Sequence, residues 1–442
     1  MLKDRRGLDT STDNPQALAA FDDAIDGYVT FHVDTTKRLS EATKADPGFF
    51  LANVLKGGMA LLSLNAKNLD RARTVLAQCT AVSDKANPRE RRHLEAFEAW
   101  AKGDLDLALR IWESILTVHP TDLLALRLAH FHYFWLGRTA RMLDSIVAAT
   151  KGWKSDTPGR SWVASMQAFG LEECGEYDEA EHMAREAVDY DRNDRWGIHA
   201  VAHVLEMQGR AADGIKWLDQ NVGALAQANN FTFHLTWHRA LLQLEKDGTD
   251  GVLDWYDAKI RDHASLLIQA IPDLYIDVQN AASLLWRLEH LGVDVGSRWK
   301  ELADKAEARI GDGSNLFTLP HFAMALAADG RFEAAARLIE GAGAIEGATL
   351  GPVGAGIAVP ACRAAVHHRR GEWKDVMGSL MPVRHELWRL GASHAQRDVL
   401  WQMLVDAARK ASDDDAVKTL MVELTAMRPV PAEQRRAYSR AA

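Results

Sequence analysis

The sequence predicts an all-α fold: a solenoid of helical hairpins, coiled as a right-handed superhelix with a concave inner face. Three observations predict it. Glycines recur at near-regular intervals, at Gly103, Gly137, Gly175, Gly209, Gly248, Gly292, Gly330 and Gly371. Between them, apolar residues recur every three or four positions, the period of a helix with one buried face. No stretch shows the alternation of a strand.

The glycine intervals are 34, 38, 34, 39, 44, 38 and 41 residues. The shortest match the 34-residue period of tetratricopeptide hairpins. The turns resemble one another: Lys102-Gly103-Asp104-Leu105, Cys174-Gly175-Glu176-Tyr177, Asp329-Gly330-Arg331-Phe332 and Arg370-Gly371-Glu372-Trp373. In each, glycine ends the first helix without strain and an apolar side chain packs under the turn. Lys67 and Ala411 are weaker members of the series.

Taken in order, residues 1–14 read as a disordered lead-in without the apolar core of a secretory signal. Asn14-Pro15 opens a helix with a stripe of Leu18, Phe21, Ile25 and Tyr28. Asp46-Pro47 stops that pattern, because a residue before proline avoids the helical region. Residues 15–442 then read as a single solenoid. The glycine-rich stretch 341–358 is an inter-repeat loop and the best candidate sub-boundary.

Seven residues before the glycines stand Ala96, Ala168, Ala202, Ala323 and Ala364, small enough to face a partner helix closely. Residues 3, 6, 10 and 13 before each glycine then share the inner face, since those offsets advance by three or four. Those positions, with their neighbours, hold Arg127, Trp162, Glu172, Trp196, His199, His203, Glu206, His238 and Glu245. His234 lies one turn before His238, and His321 nine before Gly330. At the C-terminal end, Ser393 is a natural N-cap, and His394, Arg397 and Asp398 follow it. A face carrying His, Glu, Trp and Arg reads as a recognition surface.

His199, His203 and Glu206 stack along one helix, and His238 sits on the next first helix. This set could hold a divalent metal. The same groups, with Glu172, could serve as acid and base. The bland alternative is a row of hydrogen-bonding histidines.

The net charge of −9, with no basic patch, excludes a nucleic-acid partner on this reading. No apolar run is long enough to span a bilayer. Cys79, Cys174 and Cys362 are scattered and read as buried packing residues of a cytoplasmic protein.

HAVAHVLEMQGR (199–210), FGLEECGEYDEAE (169–181), SLLWRLE (283–289) and GASHAQRDVL (391–400) resemble the tetratricopeptide repeat protein 38-like family over residues 15 to 427. The resemblance implies a full-length helical-repeat fold and brings no settled activity. The functional expectation is binding of a small molecule or short peptide in a His/Glu/Trp-lined pocket. The alternative is acid–base or metal-assisted hydrolysis there. Oligomeric state stays open.

Overall fold

The computed structural model describes residues 2–439. Within them the regular structure is helical, with twenty-four α-helices and a few short 3-10 and π turns. Extended pairing among the described residues is limited to two isolated bridges, Lys3 with Asp9 and His32 with Ala228. The all-α helical-repeat class therefore holds.

The chain groups into two compact units. The first runs up to Ala200 and adds Gly223–Asn229 and Gly347–Thr349; the second holds Val201–Val222, Asn230–Glu346 and the chain from Leu350 onward. The sequence reads as one solenoid over 15–442, and its contacts group into these two units. One border falls between Ala200 and Val201, and the 341–358 stretch also changes unit, since Gly347–Thr349 joins the first.

All eight turn glycines have positive φ, from 67° at Gly137 to 90° at Gly175. Most make the same pair of bonds. Gly175 N donates to Glu172 O and Glu176 N to Leu171 O; Gly209 N donates to Glu206 O and Arg210 N to Leu205 O. Gly330 and Arg331 repeat the pattern on Ala327 and Leu326. These bonds satisfy carbonyls that the ending helix would leave open. Two of the expected turns shift. Ser412 (φ 58°), not Ala411, takes the left-handed conformation, and Leu64 (φ 44°) does so ahead of Lys67.

In the first unit the hairpins pair Pro88–Ala101 with Leu105–Val118, Leu123–Trp135 with Thr139–Thr150, and Arg160–Glu173 with Tyr177–Tyr190. Asn87 opens its helix with a reciprocal capping box to Glu90. Asp104 and Asp122 cap theirs through Leu107 N and Ala125 N. In the second unit the helices that matter most are Phe231–Lys246, Tyr275–His290, Thr318–Ala328 and His394–Lys410. Ala96, Ala168, Ala202, Ala323 and Ala364 are fully buried, as the spacing predicts.

Other expectations change. The N-terminal lead-in is ordered from residue 2: Arg5 N donates to Asp22, Arg5 Nη2 to Asp23, and Ser11 N to Glu90. Its charges find carboxylates, which composition alone does not reveal. The 341–358 stretch is largely helical, since Gly351–Val353 and a π turn over Gly354–Ala358 lead into Val359–Arg370. Cys79 and Cys362 are buried, but Cys174 is exposed.

The packing is tight enough to test. Gly58 sits inside the helix Phe50–Leu62, and a Cβ there would overlap the ring of Phe97. Gly58→Ala should therefore destabilise the first unit by about 1–3 kcal/mol. Urea unfolding is the measurement, and an unchanged midpoint would show that Phe97 moves aside freely.

Candidate functional site

In the first unit, Arg127 projects from Leu123–Trp135 into an aromatic box. Its guanidinium lies 4.8 Å from the Trp196 ring centre, 4.9 Å from Phe31 and 5.8 Å from Tyr28. Such contacts stabilise a cation away from water. His130 meets the edge of Trp196 (5.6 Å), and His199 stacks on Phe169 (5.2 Å). Trp162 donates from Nε1 to Asp191 (2.9 Å). Glu172 is fully buried on Arg160–Glu173. His93 shares Asp122 with Arg89, at 3.0 and 2.7 Å. Arg127, Trp162, Glu172, Trp196 and His199, expected to line a recognition wall, are thus largely interior. Arg89, His93 and Asp122 offset the cost of burial by pairing with one another.

The second unit collects the more reactive set. Glu206 Oε2 lies 3.0 Å from His238 Nδ1, His238 Nε2 lies 3.2 Å from His234 Nε2, and His234 Nδ1 lies 3.2 Å from Asn280 Oδ1. His203, one turn before Glu206, brings its ring centre to 4.5 Å from that of His238. His203, His234 and His238 are all buried. Helix geometry explains the row: His234 and His238 are four apart on Phe231–Lys246, and Asn280 stands on the neighbouring Tyr275–His290.

Burial and neighbouring histidine charge push His238 down to about 4 and His234 well below the usual imidazole value. Burial raises Glu206, but the hydrogen bond with His238 and the charges of His238 and His203 outweigh it, so its pKa falls below the ordinary value. At neutral pH His234 and His238 are therefore uncharged beside the Glu206 carboxylate. A carboxylate oxygen can only accept, so His238 carries its ring proton on Nδ1.

Arg287, on the same helix as Asn280, is a buried cation. It donates to Ser283 O (3.1 Å), to Ser283 Oγ and to Ala395 O (3.3 Å). Among the described residues none of its hydrogen bonds goes to a carboxylate. Burial lowers its pKa while the charges of Asp398 and Glu206 pull it back; a guanidinium stays protonated regardless.

Asp398 is the electrostatic hub beside it. It accepts from Gln402 (2.7 Å), Arg428 (3.1 Å), Arg435 (3.0 Å) and Tyr438 Oη (2.7 Å). Burial opposes its charge, but Arg428, Arg435 and Arg287 hold its pKa well below the ordinary range. These bonds fasten the chain beyond Met427 across the second unit. Glu245 adds to the fastening by accepting from Arg436 N at 2.7 Å. Beneath that segment lies a cavity of about 60 Å³, lined by Glu206, Glu245, Arg287, Asp398 and Arg428 together with Leu241, Leu242 and Val430.

The other expected residues fall elsewhere. His394 and Arg397 open the helix His394–Lys410, where Ser393 forms the expected cap with Gln396. Arg397 turns back to donate to Gly391 O (3.2 Å) and Ala392 O, so it braces that turn. His321 is buried and bonds to Phe317 O at 2.9 Å. Asn280, Arg287 and the arginines beyond Met427 were missed. Tyr275–His290 is buried nearly all round from Asp277 to Leu288, so offset counting cannot pick out its functional side. The last segment follows no repeat pattern at all.

No family model matches the sequence. Among solved structures, the chain is similar to a human IFIT1 dimer with PPP-AAAA. The identity is 10%, covering 94% of this chain and 95% of that one, with a TM-score of 0.42. An IFIT1 monomeric mutant with Gppp-AAAA gives 10% identity, coverage of 94% and 95%, and a TM-score of 0.41. The TPR domain of P58(IPK) gives 15% identity, coverage of 73% and 90%, and a TM-score of 0.20. The exclusion of nucleic acid on net charge is corrected. That exclusion rested on net charge alone, which does not decide a partner; the two IFIT1 structures are described with PPP-AAAA and Gppp-AAAA. No described helix is long and apolar enough to cross a membrane.

Two measurements test this description. Asp398→Ala would leave Arg428 and Arg435 buried without their carboxylate, costing about 3–5 kcal/mol. Residues 428–439 should then lose hydrogen-exchange protection before the rest of the second unit; uniform loss would contradict the hub. His321 tests the buried imidazoles. Burial lowers it to about 4, with the Phe317 carbonyl opposing and Arg287 adding to the shift. A depressed histidine adds stability above its unfolded pKa of ~6.5 and loses it as pH falls toward the folded value. His321→Gln should flatten the pH dependence of unfolding in that window by about 1.4 kcal/mol per pH unit. An unaltered slope would show that this ring is not held neutral.

Proposed function

We propose that the second unit is a binding module for a small carboxylate, taken up in the cavity lined by Glu206 and Arg287. The observation that carries this reading is Arg287 itself: a buried guanidinium whose hydrogen bonds go to Ser283 and Ala395 O, at the wall of a cavity. An arginine fork matches a carboxylate in two parallel bonds. Leu241, Leu242 and Val430 supply apolar walls, and Glu206 and Glu245 supply acceptors for a donor group on the same ligand.

Size favours a small molecule over a peptide. A cavity of about 60 Å³ holds several waters, each needing roughly 10–15 Å³ of such volume. A peptide would require the segment beyond Met427 to lift away.

The hydrolytic alternative draws on the row from Glu206 to His234. Its weakness is basicity, since an imidazole pushed down to about 4 is a poor proton acceptor at neutral pH. The row supports binding more readily than acid–base chemistry. HAVAHVLEMQGR and SHAQRDV support placing the chain in the tetratricopeptide repeat protein 38-like family. The three free cysteines accord with a reducing, cytoplasmic setting.

The test is a thermal-shift and calorimetry screen of small mono- and dicarboxylates and amino acids against the full chain. At least one should raise Tm in a concentration-dependent way, and Arg287→Ala should abolish that shift while Arg287→Lys keeps part of it. If no carboxylate stabilises the wild-type chain, or Arg287→Ala binds as well, the proposal fails.

A further inference from the structure

We propose that His203, His234 and His238 form a binding site for one divalent transition-metal ion of the zinc class. His238 commits Nδ1 to Glu206, and His234 commits Nδ1 to Asn280 Oδ1. A neutral ring that donates from Nδ1 presents a lone pair at Nε2. The two Nε2 atoms stand 3.2 Å apart, close enough to share one proton or to hold one cation between them.

The spacing specifies the cation. Ligand nitrogens at ~2.0–2.1 Å from a tetrahedral metal are about 3.3 Å apart along each edge of the tetrahedron. The 3.2 Å separation is close to such an edge. His203 supplies a third nitrogen, within 4.8 Å of those on His234 and His238. Imidazole ligands suit zinc, copper, iron and nickel rather than magnesium or calcium.

The outer partners fit the same reading. Metal-binding histidines characteristically donate their second ring N–H to a carboxylate or an amide oxygen, which fixes tautomer and orientation. Glu206 does this for His238 and Asn280 for His234. Glu206 therefore has an orienting place behind the metal while also lining the cavity described above. The site would sit one side chain away from the carboxylate pocket. The two sites share Glu206, but Arg287 belongs to the pocket alone and the three imidazoles to the metal alone.

The test uses the full chain made without a histidine tag. Elemental analysis of protein from zinc-supplemented culture should find about one zinc per chain, and His234→Ala/His238→Ala less than about a tenth of that. Metal-free protein titrated with Co²⁺ should develop the intense visible bands of tetrahedral cobalt. Glu206→Gln and Asn280→Ala should retain one site but weaken it by about ten- to a hundredfold, with helix content unchanged. Wild-type protein that takes up neither ion at micromolar free concentration overturns the proposal. It would mean that a shared proton, or a reversed Asn280 amide, reconciles the two rings. Equal metal in the double variant also overturns it. If that variant fails to fold, the cobalt spectrum of the wild-type chain decides alone. Carboxylate titration of the zinc-free protein separates this outcome from that of the Arg287 pocket.

Discussion

The left-handed glycine at the end of a first helix is the constraint on which the repeat depends. At Gly175, Gly209 and Gly330 it lets two backbone N–H groups reach back to carbonyls the helix would leave open. A residue with a β-carbon adopts that conformation at a cost. The turn therefore recurs where glycine recurs, and each first helix is held in the same rotational phase relative to its turn. Ala202, seven residues before Gly209, is fully buried because of that phase. So is His203, six before the same glycine.

Phase places polar groups in the interior, and the interior then demands partners for them. A charge removed from water is costly unless another charge or several donors face it. Asp122 is met by Arg89 and His93, and Asp398 by two arginines, a tyrosine and a glutamine. Asp277 has one donor, Asn230 Nδ2 at 2.6 Å, and burial raises it to about 7. Arg287 is the converse case, a cation satisfied by a hydroxyl and two carbonyls. The contrast between Asp398 and Arg287 gives the cavity its character: one charge is neutralised by the protein, and the other stands at the cavity wall.

Much of this was legible in the residues. The turn glycines, the alanines that face partner helices and the Ser393 cap all sit where local spacing and backbone chemistry put them. The in-phase row from His203 through Glu206 to His238 was also readable, and the structure joins Glu206 to His238 directly. Less legible was its environment. Those residues suggested a recognition wall, whereas His203 and His238 are buried. Asn280 escaped notice because its helix is buried on nearly every side, which erases the periodic signal. The arginines beyond Met427 escaped because they act from a segment remote in sequence and outside the repeat. The ordered N-terminal stretch escaped because its order comes from pairing with Asp22, Asp23 and Glu90.

By itself the sequence determined the class of fold, the position of each turn to within a few residues, and which side chains share a helical face. Those are local properties, set by φ preferences and by a period of 3.6 residues. Tertiary structure decided the division into two units and the meeting of His234 with Asn280. It also decided the clasp of Asp398 on Arg428, Arg435 and Tyr438, and the place of Arg287 beside a cavity. Such outcomes depend on which helices lie side by side and on which buried charges find one another. A one-dimensional period carries no record of either.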